Sequence, residues 1–285
     1  MADRRRINGP SGTTCPPVFE EIPPTPPSRT RPSNTARGIF LKTGVTPSAS
    51  GSAYMEIGPP ESTAHDRGVS GMKLTCTVHG PRALPRSSPF SPHLVLTSHV
   101  KFAPFATRQR RGYIRDSSER DISMHLETAL RAAVLADRWP KSGVDVIVTI
   151  IEGDYEGHAT QAMRDEAWDT MNILGACITV ASAAVIDAGI DCVDSVAGGV
   201  AALVRSSMDD SPTIVLDPAV SESAVVLAAC CVAYLPSRDE ISSVWLKGQL
   251  PPSDSTSYLR LIGMATQAAQ GTSQPLLGGL TDSLS

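Results

Sequence analysis

The chain has 285 residues, enough for one large domain or two small ones around a substantial core. Its 25 basic and 29 acidic residues leave a net charge of -4, and a hydrophobic content of 41% excludes a largely disordered chain. The charge is unevenly distributed, since residues 1–120 hold 17 basic and 8 acidic residues and residues 121–285 hold 8 and 21. A basic first part on an acidic body keeps polyanions such as RNA among the expected partners.

The sequence does not favour a membrane protein, a secreted protein or a metal-binding protein. The longest run of low polarity, residues 173–186, is too short to cross a bilayer, so we expect no membrane partner. Three arginines near the N-terminus are followed by no apolar run, so we expect no secretory signal. The six cysteines lack a C-x-x-C spacing and the six histidines lack zinc-ligand spacing with them. This pattern predicts reduced thiols in an intracellular protein without a metal or cofactor.

Proline separates an N-terminal segment from the rest of the chain. Residues 1–36 contain 8 of the 23 prolines, mixed with serine, threonine and arginine. Because proline lacks an amide donor and blocks regular pairing, we predict a disordered Pro/Arg-rich tail here. The folded domain is expected over residues 37–271, followed by a flexible C-terminal tail at 272–285.

The sequence pattern in the first part of the folded domain predicts strands and then a helix. Apolar residues alternate or run continuously over 38–41, 52–57, 72–79 and 94–102, with turns rich in Pro, Gly and Ser between them, which favours an antiparallel sheet. A helix follows, with Ser117 or Ser118 as its predicted N-cap and the Trp139-Pro140 pair as its predicted end.

The second part alternates between further strands and two more helices. A strand at 144–151 precedes an inserted loop at 153–168 and an apolar helix at about 170–188. A last helix at about 254–270 ends at Gly271. Four strands are predicted between these helices, over residues 193–204, 213–216, 225–235 and 241–247. The order indicates an α+β fold in which mixed or antiparallel sheets pack with helices.

The sharpest candidate site is a basic cluster between the strand at 94–102 and the first helix. Arginine forks match phosphate geometry, and several on one loop produce a local positive field. No base-reading signature accompanies them, so contact with the RNA backbone is expected. A set of salt bridges to a protein partner is the alternative. The predicted RNA-binding residues are Lys101, Arg108, Arg110, Arg111 and Arg115.

Several segments, in order, resemble RNase PH-like proteins. Residues 37–44 lead through a Thr-Gly turn to the Gly-Ser-Ala sequence at 51–53, and residues 73–82 resemble the next strand with its Gly-Pro-Arg ending. Residues 119–134 and 187–190 resemble the first helix and the end of the second helix of that family. The match covers roughly residues 35–270 and implies an RNase PH-like fold.

Two further stretches are similar to the RNase PH-like subunits of the eukaryotic RNA exosome ring. They are Phe102–Phe105 with the arginines that follow, and Val215–Pro218 before an apolar strand. The resemblance implies a place in a six-membered hetero-ring of RNase PH-like subunits, with RNA-binding cap subunits above it. It also implies a path for single-stranded RNA through the ring, and a location in the nucleus, including the nucleolus, and in the cytoplasm.

Three departures from the catalytic members of the family predict that this chain is not an enzyme. Thr128 stands at the first arginine position of the phosphate-binding stretch in the first helix, and threonine lacks a charged fork. Only Glu222 is acidic where active members carry a pair of acids, and residues 168–172 depart from the glycine-rich pattern. The resemblance thus implies a non-catalytic scaffold that lines the RNA entry channel. The alternatives are an active phosphorolytic 3'-5' exoribonuclease and an assembly protein without RNA contact.

Overall fold

The protein is represented by a computed structural model that describes residues 29, 31–59, 71–106, 110–153, 166–205, 212–218, 225–248 and 256–282. Two sheets and three α-helices form the described part. In chain order these elements are β1 (Ile39–Thr43), β2 (Gly51–Ile57), β3 (Met72–Ala83), β4 (Val95–Phe102), α1 (Ser117–Arg131), β5 (Ser142–Glu152), α2 (Glu166–Asp187), β6 (Ala197–Arg205), β7 (Thr213–Leu216), β8 (Val225–Leu235), β9 (Glu240–Gly248) and α3 (Thr256–Asp282).

The first sheet is mixed and ends in the strand that leads to the basic cluster. Its order is β1-β2-β3-β5-β4, with antiparallel pairing except between β4 and β5, which are parallel. Residues of β4 alternate between buried and half-buried, so one face of the strand packs into the core. α1 packs against β4, and α2 packs against β2 and β3.

The second sheet separates two helices. Its order is β7-β6-β8-β9, all antiparallel. Side chains along β6 alternate between the two sides, because Val200 and Ala202 join the core around α2 whereas Ala201 and Leu203 join the cluster around α3. α2 therefore lies between the two sheets, and α3 covers the outer face of the second.

Close backbone contact fixes α2 on the second sheet. A Cβ atom built on Gly198 would lie 2.1 Å from the carbonyl oxygen of Gly175, so only glycine fits there. The Thr179 hydroxyl accepts a hydrogen bond from the Gly198 amide at 3.0 Å. Residues 170–187 are long and apolar enough to cross a membrane by composition, but 89% of that window is buried inside the protein, as in the core helix of a globular fold.

The predicted flexible tail at 272–285 is wrong for residues 272–282, which continue α3. Gly271 does not end the helix because residues beyond it are buried against the body. Leu276 is fully buried, and the Thr272 hydroxyl donates to the Gly198 carbonyl oxygen at 2.8 Å. Packing therefore outweighs the helix-breaking tendency of Gly271 and Pro275.

The boundary of the N-terminal tail also differs from the prediction. Residues 31–36, assigned to the disordered tail 1–36, lie against the second sheet, where the Leu216 amide donates to the Ser33 carbonyl oxygen at 2.8 Å. Residues 1–28 and 30 of that tail lie outside the described residues. We call residues 31–37 the strap.

Three smaller boundaries were also misplaced. α2 begins at Glu166, so the last residues of the predicted inserted loop 153–168 are helical, while 154–165 lie outside the described residues. α1 is capped by Asp116, one residue before the predicted cap. β6 begins at 197 and not 193, because the Asp194 carboxylate accepts hydrogen bonds from the Ser195 and Ser237 amides and holds this stretch as a turn.

Candidate nucleic-acid interface

The basic cluster lies where the sequence places it, on a loop after the edge strand of the first sheet. We call residues 103–116 the basic loop; residues 107–109 lie outside the described part. Its first arm is tied to β5, because the Ala103 amide donates to the Ile150 carbonyl oxygen at 2.9 Å. The Arg111 amide donates to the Pro104 carbonyl oxygen at 3.2 Å and joins the two arms.

A buried glutamate fixes the far end of the basic loop. Glu119 accepts hydrogen bonds from the Phe102 amide at 2.9 Å and from the Asp116 amide at 3.2 Å. The Asp116 side chain completes a capping box at the start of α1. One carboxylate therefore links the last residue of β4 to the first turn of α1. The loop projects from two rigid elements.

The predicted RNA-binding side chains occupy different environments. Arg111 faces the protein, since its guanidinium lies 4.0 Å from the centroid of the buried Phe102 ring and 3.8 Å from Asp116. Lys101 is half-buried on β4 and donates to the Tyr113 carbonyl oxygen at 3.4 Å. Arg110 is exposed and Arg115 half-buried. Arg108 lies outside the described residues.

Arg110 and Arg115 are the described arginines of the basic loop that have no carboxylate nearby. Among the described residues, neither side chain lies within 4.0 Å of a carboxylate, whereas Arg111 does. An exposed guanidinium retains its five donors for a phosphate oxygen. These two arginines are therefore the described members of the predicted set best placed to contact a polyanion.

Exposed apolar residues share the loop with these arginines, and the prediction omitted them. Phe105, Tyr113 and Ile114 are 74%, 78% and 88% exposed. The sequence already contained a signal for them, because aromatic residues and arginines occur together between residues 102 and 115. Only the structure shows that the Phe102 ring is buried while Phe105 and Tyr113 face outward.

A second arginine cluster, absent from the predicted sites, ties the strap to the second sheet. Asp217, just after β7, accepts hydrogen bonds from the Arg37 Nε and Nη2 atoms at 2.8 Å each and from the Arg37 amide at 2.9 Å. Arg31 lies 3.4 Å from the same carboxylate. The Arg31 and Arg37 side chains are only 5% and 1% exposed. Arg29, before the strap, donates to the Leu216 carbonyl oxygen at 3.1 Å.

The arginines determine the protonation of Asp217. Burial raises the pKa of this carboxyl, but the charge and hydrogen bonds of Arg37, with the charge of Arg31, outweigh it and hold the pKa well below its ordinary value. Asp217 is therefore ionised at neutral pH. Its φ of 45° lies in the left-handed region, which aspartate tolerates better than most residues.

A small cavity adjoins this ion cluster between the strap, α2 and the second sheet. Its volume is about 40 Å³, and Arg37, Asp217, Asn172 and Thr272 supply its polar lining. The Asn172 side-chain nitrogen donates to the Pro218 carbonyl oxygen, while its buried side-chain oxygen has no hydrogen-bond partner among the described residues. The space suits one or two water molecules.

Comparison with known proteins decides the family. Residues 35–191, more than half of the chain, match the model of the RNase PH family, described as "3' exoribonuclease family, domain 1". The chain belongs to the RNase PH family. The crystal structure of rice (Oryza sativa) Rrp46 superposes with a TM-score of 0.67 at 17% identity, covering 88% of this chain and 98% of that one. The RNase PH-like α+β fold predicted from the sequence is confirmed.

Curated RNase PH relatives include exosome components. Exosome complex component MTR3 of Chaetomium thermophilum is 60% identical over the full length of both chains. Exosome complex component mtr3 of Schizosaccharomyces pombe is 30% identical, over 89% of this chain and 87% of the relative. The resemblance to exosome RNase PH-like proteins drawn from the sequence is confirmed.

At the RNase PH positions that depart from the catalytic pattern, the described side chains are engaged within their own helix. The Thr128 hydroxyl donates to the Met124 carbonyl oxygen at 2.9 Å. Arg131, the arginine retained in the same stretch, forms an ion pair with Glu127. Glu222 lies outside the described residues, and residues 168–172 form the third to seventh positions of α2.

Proposed function

We propose that this chain is a non-catalytic subunit of an RNA exosome ring, which supports 3'-5' RNA processing and degradation as a scaffold and lines the RNA entry channel. The observation that carries the proposal is the full-length similarity to exosome complex component MTR3 at 60% identity. The competing function is a phosphorolytic 3'-5' exoribonuclease, and the family's description names a 3' exoribonuclease.

The chemistry around α1 favours the non-catalytic role. Phosphate recognition needs a charged, bidentate donor, and Thr128 supplies one hydroxyl that is already bonded to Met124. The remaining arginine of that stretch is paired with Glu127. Asp217, the half-buried acid next to the cavity, is neutralised by Arg37 and Arg31 and serves to hold the strap. Each of these described groups already has a structural partner.

An exposed sheet edge of the protein is typical of a subunit that binds other chains. β9 is an edge strand of the second sheet, and its Ile241 and Val244 are 42% and 44% exposed. At the β4 edge of the first sheet, in contrast, α1 covers the strand, because its Ser123 and Glu119 side chains accept hydrogen bonds from the Val100 and Phe102 amides. Open edges and exposed apolar residues favour pairing with another chain. We assign them to other RNase PH-like ring subunits, and we expect RNA-binding cap subunits to bind the assembled ring.

The basic loop is the proposed RNA contact. Arg110 and Arg115 would bind phosphates of single-stranded RNA, with Lys101 and Arg108 adding to the positive field. The role of Arg111 is to stabilise the loop through Phe102. An RNA-processing scaffold of this kind acts in the nucleus, including the nucleolus, and in the cytoplasm.

Incubation of the purified chain with RNA and inorganic phosphate separates the two functions. We expect no release of nucleoside diphosphates from the isolated chain, because no charged fork stands at position 128. Steady, phosphate-dependent release would overturn the non-catalytic role. An active RNase PH homologue assayed in parallel shows that the substrate and buffer support the reaction.

Affinity purification from the native source tests the ring. We expect several RNase PH-like proteins to co-purify with the tagged chain in equal amounts. A monodisperse monomer that recovers none of them at any salt concentration would contradict the assignment.

A further inference from the structure

The basic loop combines exposed aromatic rings with unneutralised cations. Tyr113 is 78% exposed and Phe105 is 74% exposed, although large aromatic side chains gain free energy when they are buried. They lie on the two arms that the Arg111–Pro104 backbone hydrogen bond joins. Arg110 and Arg115 flank Tyr113 in sequence and lack carboxylate partners within 4.0 Å among the described residues.

Lys101 positions the Tyr113 ring. Its ammonium donates to the Tyr113 carbonyl oxygen at 3.4 Å and lies 5.8 Å from the ring centroid. Because Lys101 is on the edge strand β4, the ring is held beside a rigid element. A ring placed in advance loses less conformational freedom when a flat ligand stacks on it.

We infer that Tyr113, assisted by Phe105, is a base-stacking platform for single-stranded RNA whose phosphates bind Arg110 and Arg115. This inference rests on the proposed function and adds to it the contact to the bases. Stacking on an aromatic ring beside a cationic groove tolerates any sequence, since every base has a flat face. It therefore suits a channel entrance that accepts many RNAs.

The charge of the loop favours RNA over an apolar protein partner. Residues 101–120 carry six basic and two acidic residues, and the acidic ones, Asp116 and Glu119, form the helix cap. A partner that buried Tyr113 and Ile114 would also have to desolvate Arg110 and Arg115 or supply carboxylates for them. The phosphates and bases of a single strand satisfy both sets of groups together.

Binding of labelled oligouridylate to the chain co-purified with its ring partners tests the inference, with a matched oligonucleotide that lacks bases. We expect Tyr113→Ala to weaken binding of oligouridylate about fivefold or more, since stacking on one base has this magnitude. The same variant leaves binding of the abasic oligonucleotide unchanged. Tyr113→Phe retains the ring and binds oligouridylate like the wild type.

The salt dependence separates failure of stacking from failure of the RNA contact itself. Arg110→Ala should reduce the slope of log affinity against log salt by about 0.7, the value for one phosphate on a single strand, whereas Tyr113→Ala leaves the slope unchanged.

Equal effects of Tyr113→Ala on both oligonucleotides, or no effect on either, overturn the stacking platform even when Arg110→Ala behaves as expected. Loss of a protein partner from the Tyr113→Ala complex overturns it in favour of a protein contact. If Arg110→Ala also has no effect, the proposed RNA contact of the loop fails as well.

Discussion

The strap and the basic loop are both rich in arginine, yet they hold their guanidinium groups in different environments. In the strap, Arg31 and Arg37 are almost completely buried and share the carboxylate of Asp217. In the described part of the basic loop, Arg110 is exposed and Arg111 is turned inward, over Phe102. A buried guanidinium needs a fixed counter-ion, whereas an exposed one keeps its donors for a ligand. The buried arginines of the strap therefore stabilise the fold, and we propose that the exposed arginine of the basic loop binds a ligand.

The largest expected effect comes from removing the shared carboxylate. Asp217→Ala removes the carboxylate that the buried guanidinium groups of Arg31 and Arg37 share, and we expect a loss of about 3–5 kcal/mol in the free energy of unfolding. Chemical denaturation measures it. Glu240→Ala is the matched control, because it removes an exposed ion pair to Arg238 and should change stability by less than about 0.5 kcal/mol. Similar losses of unfolding free energy in the two variants would contradict a special stabilising role of the buried arginine cluster.

A smaller loss is expected when the fork of Arg37 is replaced while the charge is kept. Lysine cannot reproduce the two hydrogen bonds from Arg37 Nε and Nη2 to Asp217, so Arg37→Lys should cost about 1–3 kcal/mol. Thermal and denaturant unfolding of Arg238→Lys provide the control for an exposed arginine. A fully stable Arg37→Lys protein would show that the geometry of the fork is unimportant.

The strap should also make stability depend on pH in the acid range. Because the pKa of Asp217 is lower in the folded than in the unfolded chain, its contribution is complete above pH about 4 and is lost as the pH falls toward the folded-state value. The difference in unfolding free energy between wild type and Asp217→Asn should therefore be constant near neutrality and shrink in acid. A difference that grows in acid contradicts the assigned ionisation of Asp217.

The smallest effect on stability is expected in the basic loop. Arg110→Ala removes an exposed side chain and should change the free energy of unfolding by less than about 0.5 kcal/mol. Its effect should appear instead as weaker RNA binding by the assembled complex, measured alongside the melting temperature. A strongly destabilised Arg110→Ala protein would place this arginine in the structural class with Arg37.

The sequence predicts the elements well where local pattern and burial agree. Strand β7 at residues 213–216 and strand β8 at 225–235 were predicted with the boundaries of the structure, because continuous β-branched or apolar runs mark buried strands. α3 was cut short at Gly271 because local propensity cannot register that Leu276 is buried by distant residues. The strap was assigned to a tail because Asp217 lies 180 residues from Arg37 along the chain.

The sequence predicted where the basic loop lies but not how its side chains are oriented. The arginine spacing located the basic loop, since charge density is visible in sequence. The inward turn of Arg111 and the outward turn of Tyr113 depend on which loop residues pack on β4, and no local pattern encodes that choice. The unpaired state of Arg110 and Arg115 among the described residues likewise required the positions of the neighbouring carboxylates.

Nuclease protection of single-stranded RNA by the assembled complex tests whether RNA runs along the basic loop. The double variant Arg110→Glu/Arg115→Glu reverses the charge at the proposed entrance, and Arg138→Glu/Arg238→Glu reverses two exposed arginines elsewhere as a control. When all complexes assemble equally, we expect the loop variant to protect a shorter RNA segment or none, and the control to protect the wild-type length. Unchanged protection by the loop variant would contradict an RNA path along the basic loop.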